Sequence, residues 1–253
     1  MLTIALIHEN VPNLSIVRNN LIVPTLLQRY ISQLALVKKY TTERDSNFGV
    51  KLLAVSKTRP ANDVMRLYKA GQRDFGENYL QDAMQKQRCL AHLDISWHFI
   101  GPIQSNKTRD IAQFFSWVHS VDRLKIAIRL NQQRPSYLPP LNICLQVNID
   151  EEDSKSGFSL AELDKVFEQM LGLSQLNIRG LMAIPRATTN IEEQRASFRR
   201  LALAKDHLNE KFSLTLDTLS MGMSGDLESA IVEGASIVRI GTAIFGARLK
   251  NTV

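Results

Sequence analysis

The chain has 253 residues, which is enough for one large domain with a full core. Its hydrophobic content of 44% and charged content of 22% are ordinary for a globular protein and exclude a disordered or fibrous chain. The net charge of +6 and the pI of about 9.4 would suit a nucleic-acid partner, but the basic residues are scattered and no RNA-binding signature occurs, so nucleic acid is not expected.

Cysteine usage and hydrophobicity predict a cytoplasmic protein. Cys89 and Cys144 have no metal-ligand spacing, and we expect both to be reduced thiols. The apolar runs are too short to span a membrane. The start of the chain, Met1 to Ile7, is followed at once by polar residues and lacks the features of a signal peptide.

Residues 1–20 form an extension whose role the sequence does not indicate, and residues 21–253 are expected to be a single domain. That domain opens with a helical pattern from Leu21 to Tyr40, which predicts a helix packed on the rest of the molecule. The apolar residues assigned to one face of this helix are Leu26, Leu27, Tyr30, Ile31, Leu34 and Val37.

From residue 51 onward, strand-like and helical segments alternate. The strands are expected to end near Lys57, Asn78, Gly101, Val121, Asn148, Ile184, Met221 and Gly241. Apolar spacings of three and four predict the intervening helices over residues 62–70, 80–93, 106–115, 122–132, 160–171, 191–211 and 226–233. Gly71 is placed to stop the first of these, and Ser159 with Glu162 forms a capping box.

Eight strands that alternate with helices in about 200 residues predict a parallel sheet closed as a (β/α)8 TIM-type barrel. The alternative is an open doubly wound sheet. A glycine-rich fingerprint after the first strand would favour that alternative, and Ser56 to Pro60 is not such a fingerprint.

Lys57 ends the first apolar run, and barrel enzymes carry their chemistry at this end of the strands. A lysine after an apolar strand is more often a solvated end charge. In an apolar pocket, however, a lysine loses its proton more readily and can form a Schiff base.

Two later strand ends resemble phosphate cradles. Ser220 to Asp226 is a small-residue turn between a strand and a helix. The N–H groups of this turn and the hydroxyls of Ser220 and Ser224 could bind a phosphate. The alternative is an ordinary serine-capped helix after a tight turn. Gly241 and Thr242 follow the last strand, where barrels often hold phosphates. An amine and a phosphate cradle at one barrel mouth suggest an aldehyde cofactor with a phosphate, pyridoxal 5′-phosphate (PLP).

Polar residues within or just after the strands offer further contacts. Arg239 lies in an apolar strand and needs an acceptor, which a pyridine nitrogen, a phosphate or a neighbouring carboxylate could supply. Asn78, His98 and Gln104 could touch a cofactor or could be satisfied polar groups of the barrel interior, the interpretation we favour for His98. No metal-ligand spacing, nucleophile elbow or Walker-type loop is present.

Several segments together resemble the pyridoxal phosphate homeostasis protein family, PLP-binding barrels related to the N-terminal domain of alanine racemase. The resemblance runs from about Lys51 to Arg248. Its segments are Ala54 to Lys57, Phe75 to Tyr79, His98 to Gly101 with Gln104, Asn106 and Lys107, Val147-Asn148, Lys155 to Phe158, Gly180 to Met182, Ser220 to Ser224 with Gly222 and Asp226, and Arg239 to Thr242 with Phe245-Gly246.

The resemblance implies roles for particular residues. It makes Lys57 the Schiff-base lysine and places Arg239 at the pyridine nitrogen. It also implies that Ser220, Ser224, Gly241 and Thr242 form the phosphate site. The implied function is intracellular PLP homeostasis without established catalysis, with supply of PLP to other proteins, PLP-dependent apo-enzymes among them.

Two features argue against efficient catalysis. A ring nitrogen that faces an arginine stays unprotonated and is a weaker electron sink. The additional domain from which related racemases draw an opposing base is not found in this sequence, and nothing in the sequence aims Tyr79 as a substitute. An amino-acid racemase or related PLP enzyme is the alternative, and a barrel without a cofactor is a third hypothesis. We expect a monomer or at most a weak dimer, because no heptad pattern or apolar strand edge indicates an interface.

Overall fold

A computed structural model describes residues 24–44 and 49–247. Eight parallel strands pair in chain order, and the first strand pairs with the last, so the sheet is closed. The strands are β1 (Lys51–Val55), β2 (Asp74–Glu77), β3 (Ser96–Phe99), β4 (Trp117–Val121), β5 (Leu141–Val147), β6 (Leu176–Ala183), β7 (Thr218–Ser220) and β8 (Ile237–Ile240). The prediction of a (β/α)8 barrel is confirmed, and the open sheet is excluded.

Helices follow the strands and surround the barrel. They are α1 (Leu26–Glu43), α2 (Ala61–Lys69), α3 (Leu80–Cys89), α4 (Thr108–Phe114), α5 (Leu124–Gln133), α6 (Leu163–Met170), α7 (Ile191–Phe212), α8 (Leu227–Val232) and α9 (Thr242–Phe245). Short 3₁₀ turns precede α4 and α6, at Ser105–Lys107 and Leu160–Glu162. Each strand ends within two residues of its predicted end, because a buried parallel strand is a short apolar run that stops where polar turn residues begin.

Local sequence signals set several helix boundaries. The hydroxyl and backbone N–H of Ser159 both contact the Glu162 carboxylate, which confirms the predicted capping box before α6. Gly71 follows the last turn of α2 with a φ of +100°, a conformation that costs glycine little and other residues more.

The N-terminal helix differs from its prediction. It begins at Leu26, because Thr25 has an extended backbone and forms a capping box with Gln28. Leu21 to Val23 and the extension over residues 1–20 lie outside the described residues. Of the six residues assigned to one face, Leu26, Tyr30 and Val37 are buried, whereas Leu27, Ile31 and Leu34 are exposed. The helix therefore packs on α2, α8 and α9 through a narrower stripe than predicted.

The apolar residues divide between two regions. A large cluster fills the space between the strands and the helices. A small second cluster comprises Leu53, Trp117, Cys144, Met182, Ile237 and Ile100. Because these residues come from strands all around the sheet, the second cluster lies inside the barrel, which is therefore a packed core and not a pore.

Residues 24–44 and 49–247 contain neither a membrane-spanning helix nor a cluster of metal ligands. None of their helices is long and apolar enough to cross a membrane. No group of three or more histidine, cysteine or acidic residues among them could hold a metal ion.

Candidate functional site

The barrel brings the predicted site residues to one side of its mouth. They follow or end four strands, β1, β2, β7 and β8, and these strands are neighbours because β1 pairs with β2 and β8, and β8 pairs with β7. The residues are Lys57, Asn78, Ser220, Gly222, Ser224, Arg239, Gly241 and Thr242. Closure of the sheet thus places the first and last strands side by side, although their residues are almost 200 positions apart in sequence.

Lys57 lies half-buried in a tight turn after β1. The N–H of Ser56 extends the pairing with β2 by donating to Gly76 O at 3.0 Å, and the N–H of Arg59 closes the turn on Ser56 O at 3.0 Å. Thr58 has a φ of +63°, which is a strained conformation for a β-branched residue. Such strain is retained where the surroundings enforce it and clusters at functional sites.

A buried ion pair supports this turn from the side of helix α3. The Lys86 ammonium donates to Glu77 Oε1 and to Ser56 O, both at 2.7 Å, and to Asp82 Oδ2 at 2.9 Å. Ser56 Oγ donates to the same Glu77 oxygen at 2.6 Å, and Thr58 N–H donates to Asp82 Oδ2 at 3.2 Å. The residues on both sides of Lys57 are therefore tied to one charged network.

One oxygen of the Glu77 carboxylate, Oε2, takes no part in this network. Its side chain is fully buried, and burial raises the pKa of its carboxyl although the nearby Lys86 charge opposes the shift. Among the described residues, Oε2 of this carboxyl has no hydrogen-bond partner. Sequence analysis did not single out Lys86 or the role of Glu77, because a lysine in the middle of a helix is usually solvated.

The loop after β7 has the tight geometry expected of a cradle. Gly222 has a φ of +93°, and a Cβ there would meet the Ala230 Cβ at 2.5 Å, so only glycine fits. The loop is held by Asp226, whose Oδ1 accepts from Met223 N–H at 2.6 Å. Helix α8 starts directly afterwards, and Ser224 is exposed beside it.

Gly241 and Thr242 lead from β8 into α9, so a second helix begins next to the first. Gly241 lies against the end of β1, because a Cβ on it would come 3.4 Å from Val55 O. The first N–H groups of any helix lack intrahelical acceptors. Two helix starts and two glycine turns at neighbouring strand ends suit an anion such as a phosphate.

Arg239 is buried among neutral oxygens. Its Nη1 donates to Ser220 O at 2.5 Å and to Ser220 Oγ at 2.8 Å, and its Nη2 donates to Ala183 O at 2.9 Å. Arg239 forms no ion pair with any residue of 24–44 or 49–247. Burial lowers the pKa of its guanidinium to about 10, and the nearby Asp226 charge opposes the shift. An ion pair of Arg239 with a neighbouring carboxylate is therefore absent within that part of the chain. Because a guanidinium has five N–H donors, some of them remain for a ligand.

Ser220 differs from its expected environment. The residue is fully buried, and its hydroxyl contacts His119 Nδ1 at 2.7 Å as well as Arg239. That hydroxyl therefore lies inside the barrel. Of the residues predicted for the phosphate site, Ser224 and Thr242 carry exposed hydroxyls.

His98 is a satisfied polar group of the barrel interior, as favoured from the sequence. It is fully buried and contacts Asp74 and His119. Sequence analysis missed His119 and Asp74. The available signal was a polar residue at an inward position of an otherwise apolar strand, as in Trp117 to Val121.

Asn78 follows β2, and its buried Oδ1 has no hydrogen-bond partner among the described residues. Gly101 lets the chain after β3 pass close by, since a Cβ there would lie 2.2 Å from Asn78 O. A cavity of about 330 Å³ includes Asn78 in its lining, and a second of about 570 Å³ adjoins it through Lys155 and Ile184. Lys57 lines neither cavity.

Gln104 is exposed in the loop after β3 and Tyr79 is exposed before α3.

Comparison with known proteins agrees with this geometry. Residues 31–249 match the model of the alanine racemase N-terminal domain family. The pyridoxal phosphate homeostasis protein of Pseudomonas aeruginosa is 61% identical over 199 residues, covering 79% of this chain and 85% of that protein. The protein of the same name from Escherichia coli K12 is 51% identical over 202 residues, covering 79% and 86%.

Solved structures show the same fold. PipY of Synechococcus elongatus, solved with PLP bound, has a TM-score of 0.78 and 36% identity, covering 88% of this chain and all of that one. An alanine racemase of Clostridium difficile has a TM-score of 0.68 at 13% identity, covering 88% and 59%, which is a likeness of fold alone. The chain belongs to the pyridoxal phosphate homeostasis protein family, and its barrel is of the alanine racemase N-terminal type.

Proposed function

We propose that this protein binds PLP at the barrel mouth and acts in intracellular PLP homeostasis. The observation that carries the proposal is the position of Lys57 in a strained, network-held turn next to two adjacent glycine loops that each lead into a helix. The PLP-bound structure of PipY and the name that the two bacterial relatives share support the same ligand.

In this proposal the Lys57 amine adds to the aldehyde carbon of PLP and water leaves, which forms a carbon–nitrogen double bond. The N–H groups that begin α8 and α9 bind the phosphate dianion, with hydroxyls from Ser224 and Thr242. Gly222 and Gly241 allow the backbone to approach the phosphate closely. Asn78 offers its unpartnered oxygen to a donor of the ligand, since a buried acceptor without a partner is costly.

Arg239 is proposed to donate to the ring nitrogen. Even with its lowered pKa of about 10 the guanidinium stays charged at neutral pH, so it donates a hydrogen bond without giving up the proton. The ring then withdraws electrons weakly, which disfavours carbanion chemistry.

We therefore propose a carrier without efficient amino-acid turnover. Deuterium exchange at Cα of L- and D-alanine tests this, because it reports proton abstraction even without product. Exchange at rates of about 1–10³ s⁻¹ would make the protein an enzyme of the racemase class. Exchange far below that range is the expected result.

The proposed cellular role is to hold PLP reversibly in the cytoplasm and to supply it to PLP-dependent apo-enzymes. We propose that the protein does so as a monomer. Light scattering at micromolar concentration tests the oligomeric state, and a stable dimer would contradict it.

The function is tested by equilibrating the purified protein with PLP, removing free ligand, and recording the absorbance spectrum. Wild-type protein is expected to retain PLP in about equimolar amount and to reactivate a PLP-dependent apo-enzyme. Lys57→Ala should lose the retained absorbance, and Lys69→Ala, a change of an exposed lysine on α2, should not. Failure of wild-type protein to retain PLP would overturn the proposal.

A further inference from the structure

A continuous chain of hydrogen-bonded side chains crosses the barrel interior to reach Arg239. Arg239 Nη1 contacts Ser220 Oγ at 2.8 Å, Ser220 Oγ contacts His119 Nδ1 at 2.7 Å, and His119 Nε2 contacts His98 Nδ1 at 2.9 Å. His98 Nε2 then contacts Asp74 Oδ1 at 3.0 Å, and Ser96 Oγ lies 3.2 Å from the same nitrogen. The chain links five strands and passes between β4 and β7, which are not neighbours in the sheet. It must therefore run through the interior.

The far end of the chain lies at the opposite mouth. Asp74 is the first residue of β2, and its Oδ1 also accepts from the Lys51 ammonium, at the first residue of β1, at 2.9 Å. Because all strands are parallel, their first residues lie at the barrel end away from the predicted site. The chain thus connects the floor of the barrel with the residue proposed to face the cofactor ring.

The chemistry of the two ends gives the chain one direction. Asp74 as a carboxylate can only accept, so His98 donates from Nε2 and accepts at Nδ1. His119 then donates from Nε2 and accepts at Nδ1 from the Ser220 hydroxyl. Ser220 has no further proton to donate and accepts from Arg239, which can only donate. Each of the four contacts in the chain then joins one donor to one acceptor when both histidines are neutral with the proton on Nε2.

The surroundings favour this neutral arrangement. Both histidines are fully buried, and the His98 ring stacks on Trp117 with centroids 5.4 Å apart. The charged groups facing them are Asp74 and Lys51 at the floor and Arg239 near the mouth. Burial, the largest cause, lowers the pKa of both imidazoles, although the Asp74 carboxylate opposes the shift at His98. The neighbouring His98 and the Arg239 charge lower the pKa of His119 further.

We propose that His119 is a positioning residue: through Ser220 it fixes the orientation of Arg239, and the chain back to Asp74 holds His119 in the required tautomer. The inference rests on the proposed function, in which Arg239 donates to the ring nitrogen. A purely apolar interior would fill the barrel without buried polar groups, which must be paired to be tolerated. The chain instead ends on the one cation that the proposed site uses at the ring.

The tautomers are tested without any cofactor. Histidine ¹⁵N shifts of the PLP-free protein are expected to show that His98 and His119 are neutral and protonated on Nε2 at pH 7.5. Their signals are assigned by their loss in His98→Phe and His119→Phe. Protonation of either on Nδ1, or of either on both nitrogens, would overturn the chain's direction.

The effect on the site is tested by PLP affinity and by the absorbance maximum of the bound ligand. Ser220→Ala and His119→Phe are each expected to weaken PLP binding about 5- to 100-fold. Ser220→Ala removes an acceptor of the buried Arg239 guanidinium, and His119→Phe removes the acceptor that orients the Ser220 hydroxyl. The double variant should bind PLP no more weakly than whichever single variant has the lower affinity, since both changes break the same chain. Both single variants should move the absorbance maximum in the same direction.

Cys144→Ala is the matched control, because Cys144 is also fully buried inside the barrel but is not part of the chain. It should lower the melting temperature without changing PLP affinity or the absorbance maximum. Additive effects of Ser220→Ala and His119→Phe, or an unchanged spectrum in either, would overturn the inference. If His119→Phe does not fold, Ser220→Ala alone decides through the spectrum. Failure of wild-type protein to bind PLP would instead refute the proposed function.

Discussion

Lys86 donates a hydrogen bond from helix α3 to the carbonyl oxygen of Ser56 at 2.7 Å, one residue before Lys57. The same ammonium pairs with the buried Glu77 carboxylate at 2.7 Å. The turn that carries the proposed reactive amine is therefore fastened to an ion pair with almost no solvent exposure. The position of this turn is therefore set in part by a buried ion pair beside it.

Replacement of Lys86 should be strongly destabilising. Lys86→Met is expected to lower the free energy of unfolding by about 3–5 kcal/mol, because it leaves the Glu77 charge buried without its partner. The double variant Glu77→Leu/Lys86→Met should recover part of this loss, since it removes both charges. Urea unfolding of the three proteins measures the effect. A loss below about 1 kcal/mol, the range of an exposed pair, would contradict the account.

The two glycines of the phosphate loops should respond differently to a larger side chain. At Gly222, the positive φ and the Ala230 contact at 2.5 Å predict that a bulky residue destabilises the fold. Gly241→Val should keep the melting temperature near that of wild type, because a Cβ at this position would come no closer than 3.4 Å to a neighbouring atom. It should weaken PLP binding at least about tenfold, or about 1.4 kcal/mol.

Gly172→Ala is the control for Gly241→Val, since a Cβ at Gly172 meets nothing within 4 Å and the residue lies after α6, away from the loops. Its PLP affinity and melting temperature should match wild type. Equal PLP affinity of Gly241→Val and wild type, measured by titration, would count against this loop as the phosphate site.

Acid should destabilise the protein through its buried histidines. Burial holds the pKa of His98 and His119 below the ordinary 6.5, so the unfolded chain binds more protons at pH values below that figure. Their contribution to stability is complete above pH 6.5 and is lost as pH falls toward the folded-state pKa. The slope is at most about 1.4 kcal/mol per pH unit for each histidine.

A comparison of variants isolates this effect from other groups. The raised pKa values of Glu77, Asp122 and Asp226 act in the opposite sense, so the wild-type slope alone does not report the histidines. His119→Asn should show a shallower loss of stability between pH 7 and 5 than wild type, whereas His92→Asn, a change of an exposed residue, should not. Identical slopes for His119→Asn and wild type, from urea unfolding at each pH, would refute the prediction.

The two cysteines should differ in reactivity. Burial raises the pKa of the Cys144 thiol to about 12, and the residue has no solvent exposure, while Cys89 is exposed at the end of α3. A thiol reagent at pH 8 should label one group per native chain and two after denaturation, because the thiolate is the reactive form. Rapid labelling of both in native protein would contradict the packed barrel interior.

The order of strands and the positions of their ends could be predicted from sequence, because each strand is a short apolar run followed by polar turn residues. Lys57 and Gly241 were expected at one mouth for the same reason, since parallel strands all end on one side. These features depend on local pattern and on the rule that barrel strands follow one another in space.

The interior contacts could not be predicted in the same way. His119 and Ser220 are 101 positions apart and meet only because β4 and β7 face each other across the barrel. Their hydrophobic neighbours give no sign of which polar groups are paired. The exposed half of α1 was also missed, since the same helical pattern fits a wide or a narrow buried stripe, and packing decides between them.

The central claim, that Lys57 holds PLP covalently, is tested most directly by borohydride reduction of the PLP-loaded protein, digestion and mass spectrometry. Reduction should fix one phosphopyridoxyl group per chain on the peptide that contains Lys57, and Lys57→Ala should give no such adduct at equal PLP concentration. A stoichiometric label on another lysine, with Lys57 unmodified, would contradict the account.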